Sequence, residues 1–266
     1  MKLGFLGTGK MATAIAKGLV GKQVWQAADQ IGFDVSPEAC AAFQQATGVR
    51  SANDVEAFGR AADILLLAVK PQMAAAAVSP LRASGAGKLI ISIAAGLPLA
   101  KLCIWFGHDR IIRVMPNTPS MVGCGAAVYA CGAGVETADR ETAARIFGAV
   151  GIALEMPEAQ LDAVTALSGS GPAYVFEMIR VLVEGAKALG MPEDAALQLT
   201  VQTVAGAAAM LTEGMGTPTD LRRAVTSPGG TTAAGLAVLD EADFPELMAK
   251  VLEAARDRSI ELGRQG

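Results

Sequence analysis

"KLGFLGTGKMATAIAKGLV", residues 2–20, decides how the rest of the chain is read. A short apolar run at 2–7 has the length of a buried strand, and residues 10–20 repeat apolar side chains at helical spacing. Between them Gly7, Gly9 and Ala12 stand at G-x-G-x-x-A spacing. Gly7 permits a tight turn, Gly9 lets a pyrophosphate approach the backbone, and Ala12 keeps helix and sheet close. The helix start then offers unpaired N–H groups and a partial positive charge to phosphates. The pattern is weak in isolation and gains its meaning from lying between a strand and a helix. It nominates Gly7, Thr8, Gly9, Lys10 and Met11 as dinucleotide contacts.

Working outward, strand and helix signals alternate. "QIGFDV" (30–35) reads as a second strand, followed by a helix opened by Ser36-Pro37. "DILLLAV" (63–69) and "KLIISIA" (88–94) are continuous apolar runs of the length that fully buried parallel strands need. "RIIRVMPN" (110–117), "AAVYAC" (126–131) and "IALEM" (152–156) read as further strands. Strands separated by helices predict an α/β domain with a doubly wound parallel sheet of the Rossmann type. After residue 157 the strand signals stop. Helices are predicted to start at Gly171-Pro172, Met191-Pro192, Thr217-Pro218, after Gly229-Gly230 and at Phe244-Pro245. The expected division is therefore a dinucleotide-binding domain at 1–157 and an all-α domain at 158–266. Alanine-rich stretches such as "TVAGAAAML" (203–211) allow close helix approach, and so apolar a helical half implies a partner surface.

In an open α/β sheet the ligand lies outside the carboxyl ends of the strands. Asp34 ends the second strand about twenty-five residues after the glycine loop, where an acid binds a ribose 2′-hydroxyl and repels a 2′-phosphate. That placement leans toward NADH over NADPH, and it also fits a simple helix cap. Val35 and Asn53 join it as candidates. Ala68, Val69, Lys70 and Pro71 follow the third strand, and Ala94, Ala95 and Gly96 follow the fourth, placed to line a nicotinamide. Asn117, in "MPNTP", can both donate and accept hydrogen bonds.

Composition narrows the function classes. A net charge of −4 without a basic stripe argues against nucleic acid. No run of eighteen apolar residues occurs, so no membrane span is expected. Cys40, Cys103, Cys124 and Cys131 lack C-x-x-C spacing, which favours reduced thiols in a cytoplasmic protein and predicts no metal site. His108 is the only histidine and precedes a strand, away from the expected cofactor edge, while Lys187 reads as a solvated residue in the middle of a helix. A carbonyl substrate needs a positioned proton donor. A protonated imine is already electrophilic and needs positioning and a polar contact to nitrogen. Two glycine turns in the helical half, "SGSGPAYVF" (168–176) and "SPGGTT" (227–232), open helices whose N–H groups suit a carboxylate, and each can equally be a cap.

Assembled in this order, "GFLGTGKMA", "AVKPQ", "SIAAG", "MPNTP", "ALSGSGPAYVF" and "TSPGGTT" resemble the pyrroline-5-carboxylate reductase family over nearly the whole chain. The resemblance implies reduction of 1-pyrroline-5-carboxylate to L-proline with NADPH or NADH. It implies a C-terminal helical domain that forms a homodimer and can assemble into larger rings. It also implies that Ser227, Gly229, Gly230, Thr231 and Thr232 grip the substrate carboxylate, that Thr232 is the catalytic hydroxyl near the ring nitrogen, and that Glu158 lies close to the substrate. Two departures stand out. Many members carry small polar residues where this chain has Asp34, and Ala224 stands where some relatives have a polar side chain near the cofactor. The β-hydroxyacid dehydrogenases share the architecture but need a lysine and an asparagine where this chain has Val175 and Ile179. A nucleotide-sensing module without catalysis would have no use for Thr231 and Thr232 on such a turn.

Overall fold

Apolar runs too short for helices become the strands of one sheet in a computed structural model that describes residues 1–265. In chain order the first part is β1 (Leu3–Leu6), α1 (Lys10–Gly21), β2 (Gln30–Phe33), α2 (Pro37–Thr47), α3 (Val55–Ala61), β3 (Ile64–Leu67) and α4 (Pro71–Val78). Then come β4 (Leu89–Ser92), α5 (Leu99–Phe106), β5 (Ile111–Met115), β6 (Gly125–Cys131), α6 (Thr137–Gly148), β7 (Gly151–Glu155) and α7 (Leu161–Val164). Every residue of β1, β3 and β4 is buried, as strands covered on both faces require. Ser36 accepts the Ala39 N–H at 3.1 Å and Pro37 follows as first helical residue, so α2 starts where its signal stands.

The strand order is β2-β1-β3-β4-β5-β6-β7. An isolated parallel bridge from Gly32 to Ser51 extends the sheet beyond β2. The expectation of a wholly parallel sheet is corrected at one place: β6 runs antiparallel to β5. The reason is connection length. Only residues 116–124 join β5 to β6, and a parallel crossover needs a dozen residues or more. Leu6 pairs with both Phe33 and Leu67, and Leu67 with Ser92. The carboxyl ends of β2, β1, β3 and β4 are thus level, with the reversal of strand order at β1/β3. Phe5, Ile15, Phe43, Leu66 and Phe147 build the core on one face of the sheet, and Phe58, Leu65, Val78, Leu102 and Leu161 on the other.

The chain forms two compact units, Met1–Ser170 joined by the chain from Ala254, and Gly171–Glu253. The second contains no strand among its described residues. It comprises α8 (Gly171–Ala188), α9 (Glu193–Thr212), α10 (Pro218–Ala224), α11 (Thr231–Glu241) and the first part of α12 (Phe244–Gln265). Helix starts fall where proline and glycine predict them. At Met191-Pro192 the extended backbone of Pro192 makes it the cap, so α9 begins at Glu193. α8 packs against α9. Only Val183 and Ala196 of this unit are buried, while Phe176 is 66% and Leu199 58% exposed. By length and composition α9 is apolar enough to cross a membrane, although Gln198 and Gln202 interrupt it.

Candidate active site

The glycine loop has the geometry its spacing predicts. Gly7 sits at φ +93°, and a Cβ there would lie 2.8 Å from the Ala68 carbonyl oxygen. That position admits only glycine. At Gly9 a Cβ would meet nothing within 4 Å, so the backbone faces open space. Gly9 is also the N-cap of α1 and supplies no side-chain acceptor, which leaves the first N–H groups of that helix open.

Asp34, at the end of β2, reaches back to this loop. One carboxylate oxygen accepts the Thr8 N–H at 2.8 Å and lies 3.4 Å from the Thr8 hydroxyl. The other accepts the Ser36 N–H at 3.1 Å. Gly7, Gly9, Asp34, Val35, Ala68, Val69 and Lys70 line one cavity of about 380 Å³, walled by Val55, Met73 and Pro80. Thr8, Gly9 and Lys10 line a neighbouring one of about 450 Å³, with Lys17 and Met121. A glycine cradle beside two open cavities, with lysines near the helix start and an acid at the end of β2, fits a dinucleotide. Of the remaining candidates, Met11 packs against the core, Asn53 is exposed and Pro71 opens α4. Ala94 is buried, Ala95 exposed, and Gly96 has φ +72°, all just beyond β4.

Two candidates have other partners, which the sequence did not disclose. Asn117 is 9% exposed; its amide nitrogen donates to the Ser168 carbonyl at 3.1 Å and its oxygen accepts the Ala126 N–H at 2.8 Å. Both ends of the amide are thereby held by protein. Ser168 belongs to a π-type turn, Thr165–Gly169, closed by the Ser170 N–H on the Thr165 carbonyl at 2.8 Å. Glu158 Oε1 accepts the Leu99 N–H at 2.7 Å and pairs with Arg113 at 2.9 Å. Sequence reasoning passed over Arg113; its signal was one cation inside the apolar run "IIRVM" (111–115).

In the second unit the stretch 227–232 forms a preset turn. The Gly230 N–H donates to the Ser227 carbonyl at 3.1 Å, Pro228 and Gly229 are the central residues, and Gly229 has φ +66°. Ser227 Oγ crowds the space a Gly230 Cβ would take, so a side chain there would have to displace that hydroxyl. α11 follows, with no side-chain cap from Gly230. Its first N–H groups point beyond the helix, and Thr231 and Thr232 are exposed beside them. Such a helix start, with two hydroxyls beside it, has the chemistry to receive an anion. The two expected bystanders are also placed. His108 faces the Gly85 carbonyl with Nε2 and accepts the Arg110 N–H with Nδ1. Lys187 lies in the last turn of α8 rather than mid-helix, and its hydrogen bonds to Glu193 and Glu184 raise its pKa.

Comparison with known proteins adds independent findings. Residues 158–262 match the family model described as pyrroline-5-carboxylate reductase dimerisation, and residues 2–96 the one described as NADP oxidoreductase, coenzyme F420-dependent. The chain is 40% identical to the pyrroline-5-carboxylate reductase of Arabidopsis thaliana, over 99% of its own length and 96% of the relative's. It resembles the solved structure of a pyrroline-5-carboxylate reductase from Coxiella burnetii at TM-score 0.93 and 35% identity, covering 98% of each chain. It also resembles the pyrroline carboxylate reductase of Plasmodium falciparum, solved with NADP bound, at TM-score 0.88 and 31% identity, over 99% of this chain and 98% of that one.

Proposed function

The chain belongs to the pyrroline-5-carboxylate reductase family, and from that premise we propose how its residues share the reduction of 1-pyrroline-5-carboxylate to L-proline. A nicotinamide dinucleotide, when bound, supplies the hydride. Gly7, Thr8, Gly9, Lys10 and Met11 hold its pyrophosphate at the start of α1. Asp34 and Val35 receive the adenosine ribose, and Asp34 makes NADH the better cofactor, because its carboxylate repels a 2′-phosphate. Lys70 with its neighbours and residues 94–96 hold the remaining length.

The observation that carries the substrate reading is the uncapped start of α11 behind the turn at 227–230. Its open N–H groups, with Ser227 and Thr231, receive the carboxylate. Thr232 sets its hydroxyl against the ring nitrogen, and a protonated imine asks nothing stronger. Val175 at the lysine position removes the donor that hydroxyacid chemistry needs. We assign substrate gripping and dimerisation to the helical domain from residue 158, with the exposed apolar faces of α8 and α9 covered by a second copy rather than by lipid. Assembly of dimers into a ring, a cytoplasmic location and the absence of a nucleic-acid partner belong to the same reading.

Thr232→Val tests the assignment. Loss of one hydrogen bond to a charged centre costs about 1.5–3 kcal/mol, so kcat falls about 10- to 100-fold while the dissociation constant of NADH stays within about twofold. Equal losses in turnover and cofactor binding contradict a role at the reacting atoms.

A further inference from the structure

We propose that Glu158 is a positioning residue that fixes the loop beyond β4, rather than a contact to the substrate. α5 has a deficit at its start. Its N-cap is Pro98, which offers no side-chain acceptor, and its first N–H, on Leu99, would go unmatched. Glu158, 59 residues later in the chain, supplies that acceptor through Oε1 at 2.7 Å. The carboxylate sits at the positive end of the helix, where a negative charge is favoured.

The same oxygen takes Arg113 at 2.9 Å. The Arg113 side chain is 12% exposed and rises from β5, in register with Ser92 at the end of β4. Arg113 is thus the fixed post, Glu158 the link and Leu99 the load. Between Ser92 and Leu99 lie residues 93–98, including Ala94, Ala95 and Gly96. The loop is held at its head by β4, and Leu97 is 1% exposed in the core. Gly96 has φ +72°, and a Cβ added there would come within 3.7 Å of the Gly263 backbone. At its tail the contact is Glu158. A nicotinamide lying on this loop has its distance to any substrate set by how firmly the loop is held. Oε1 is thus engaged twice by the fold, while the Glu158 side chain as a whole is 32% exposed.

The proposal rests on the reaction above for its kinetic arm alone. Its structural arm is read on the protein without cofactor, so the two can fail separately. Amide hydrogen exchange across residues 94–102 is compared in the wild type, Glu158→Gln and Glu158→Ala. Glu158→Ala is expected to speed exchange at Leu99 about tenfold or more, and Glu158→Gln, which keeps an acceptor, to restore at least half of the protection on a logarithmic scale. The kinetic arm expects Glu158→Ala to lower kcat and to raise the NADH dissociation constant, measured by fluorescence titration, while KM for pyrroline-5-carboxylate stays within about twofold. Unchanged exchange in Glu158→Ala overturns the proposal. So does a rise in substrate KM of about tenfold with cofactor binding intact, which would make Glu158 a substrate ligand. If Glu158→Ala does not fold, Glu158→Gln decides: exchange at Leu99 must rise measurably, with substrate KM unmoved.

Discussion

Asp34 holds Thr8 and Ser36 before any cofactor arrives. Its place at the end of a strand after a glycine loop is legible in the sequence, because spacing along β1-α1-β2 sets it. Its bonds are not, since they depend on where the loop folds back. The three N–H and O–H donors fix the orientation of the carboxylate. Asp34→Asn keeps acceptor capacity for Thr8 and removes the charge. The wild type is expected to use NADH with the higher kcat/KM, and the variant to shift the NADPH-to-NADH ratio upward by about tenfold or more. Steady-state kinetics with both cofactors checks this, and a wild type that favours NADPH contradicts it. Glu158 and Asn117 teach the converse. Both were visible as polar residues at suggestive places, yet their partners Leu99, Arg113, Ser168 and Ala126 are set by tertiary folding. Polarity near a strand end does not distinguish a ligand contact from a strut.

At the scale of elements, all seven strands and the helix starts of the second half were readable from apolar runs and from proline and glycine. The direction of β6 was not, because periodicity carries no sense of direction. The short, proline-containing link at 116–124 held the missing signal. How α6 is fastened was equally hidden. Asp139 is buried in its first turn and takes Arg110 through both oxygens, at 2.9 and 2.8 Å, as well as the Glu136 N–H at 3.2 Å. The Arg110 guanidinium, foremost through its hydrogen bonds, holds the Asp139 carboxyl below the usual range. A depressed pKa gives stability that is complete above the ordinary carboxylate value of about 4 and is lost as pH falls through the folded value. Asp139→Asn is therefore expected to destabilise the protein by about 1–3 kcal/mol at pH 7. The gap should narrow as pH drops below about 4. Urea unfolding across that range measures it, and a pH-independent gap contradicts the assignment.

For the whole molecule, the second unit cannot bury its own apolar residues, with Val183 and Ala196 alone covered and Phe176 and Leu199 open. Alanine-rich helices announced that surface in the sequence, but the number of copies needed to cover it is a property of assembly. Replacing Phe176 and Leu199 together with lysine is expected to convert the oligomer to monomer at micromolar concentration, since each charge would enter an apolar interface at a cost of several kcal/mol. Sedimentation velocity reads this out, and a wild type that is already monomeric contradicts it. The proposed reduction needs both a dinucleotide at residues 7–11 and a substrate carboxylate at the start of α11. It is tested most directly by incubating the purified protein with NADH or NADPH, with and without pyrroline-5-carboxylate, while following reduced cofactor and proline together. The expected result is cofactor oxidation only when the imine is present, one proline formed per cofactor consumed, and a faster reaction with NADH. No proline with either cofactor would contradict the account.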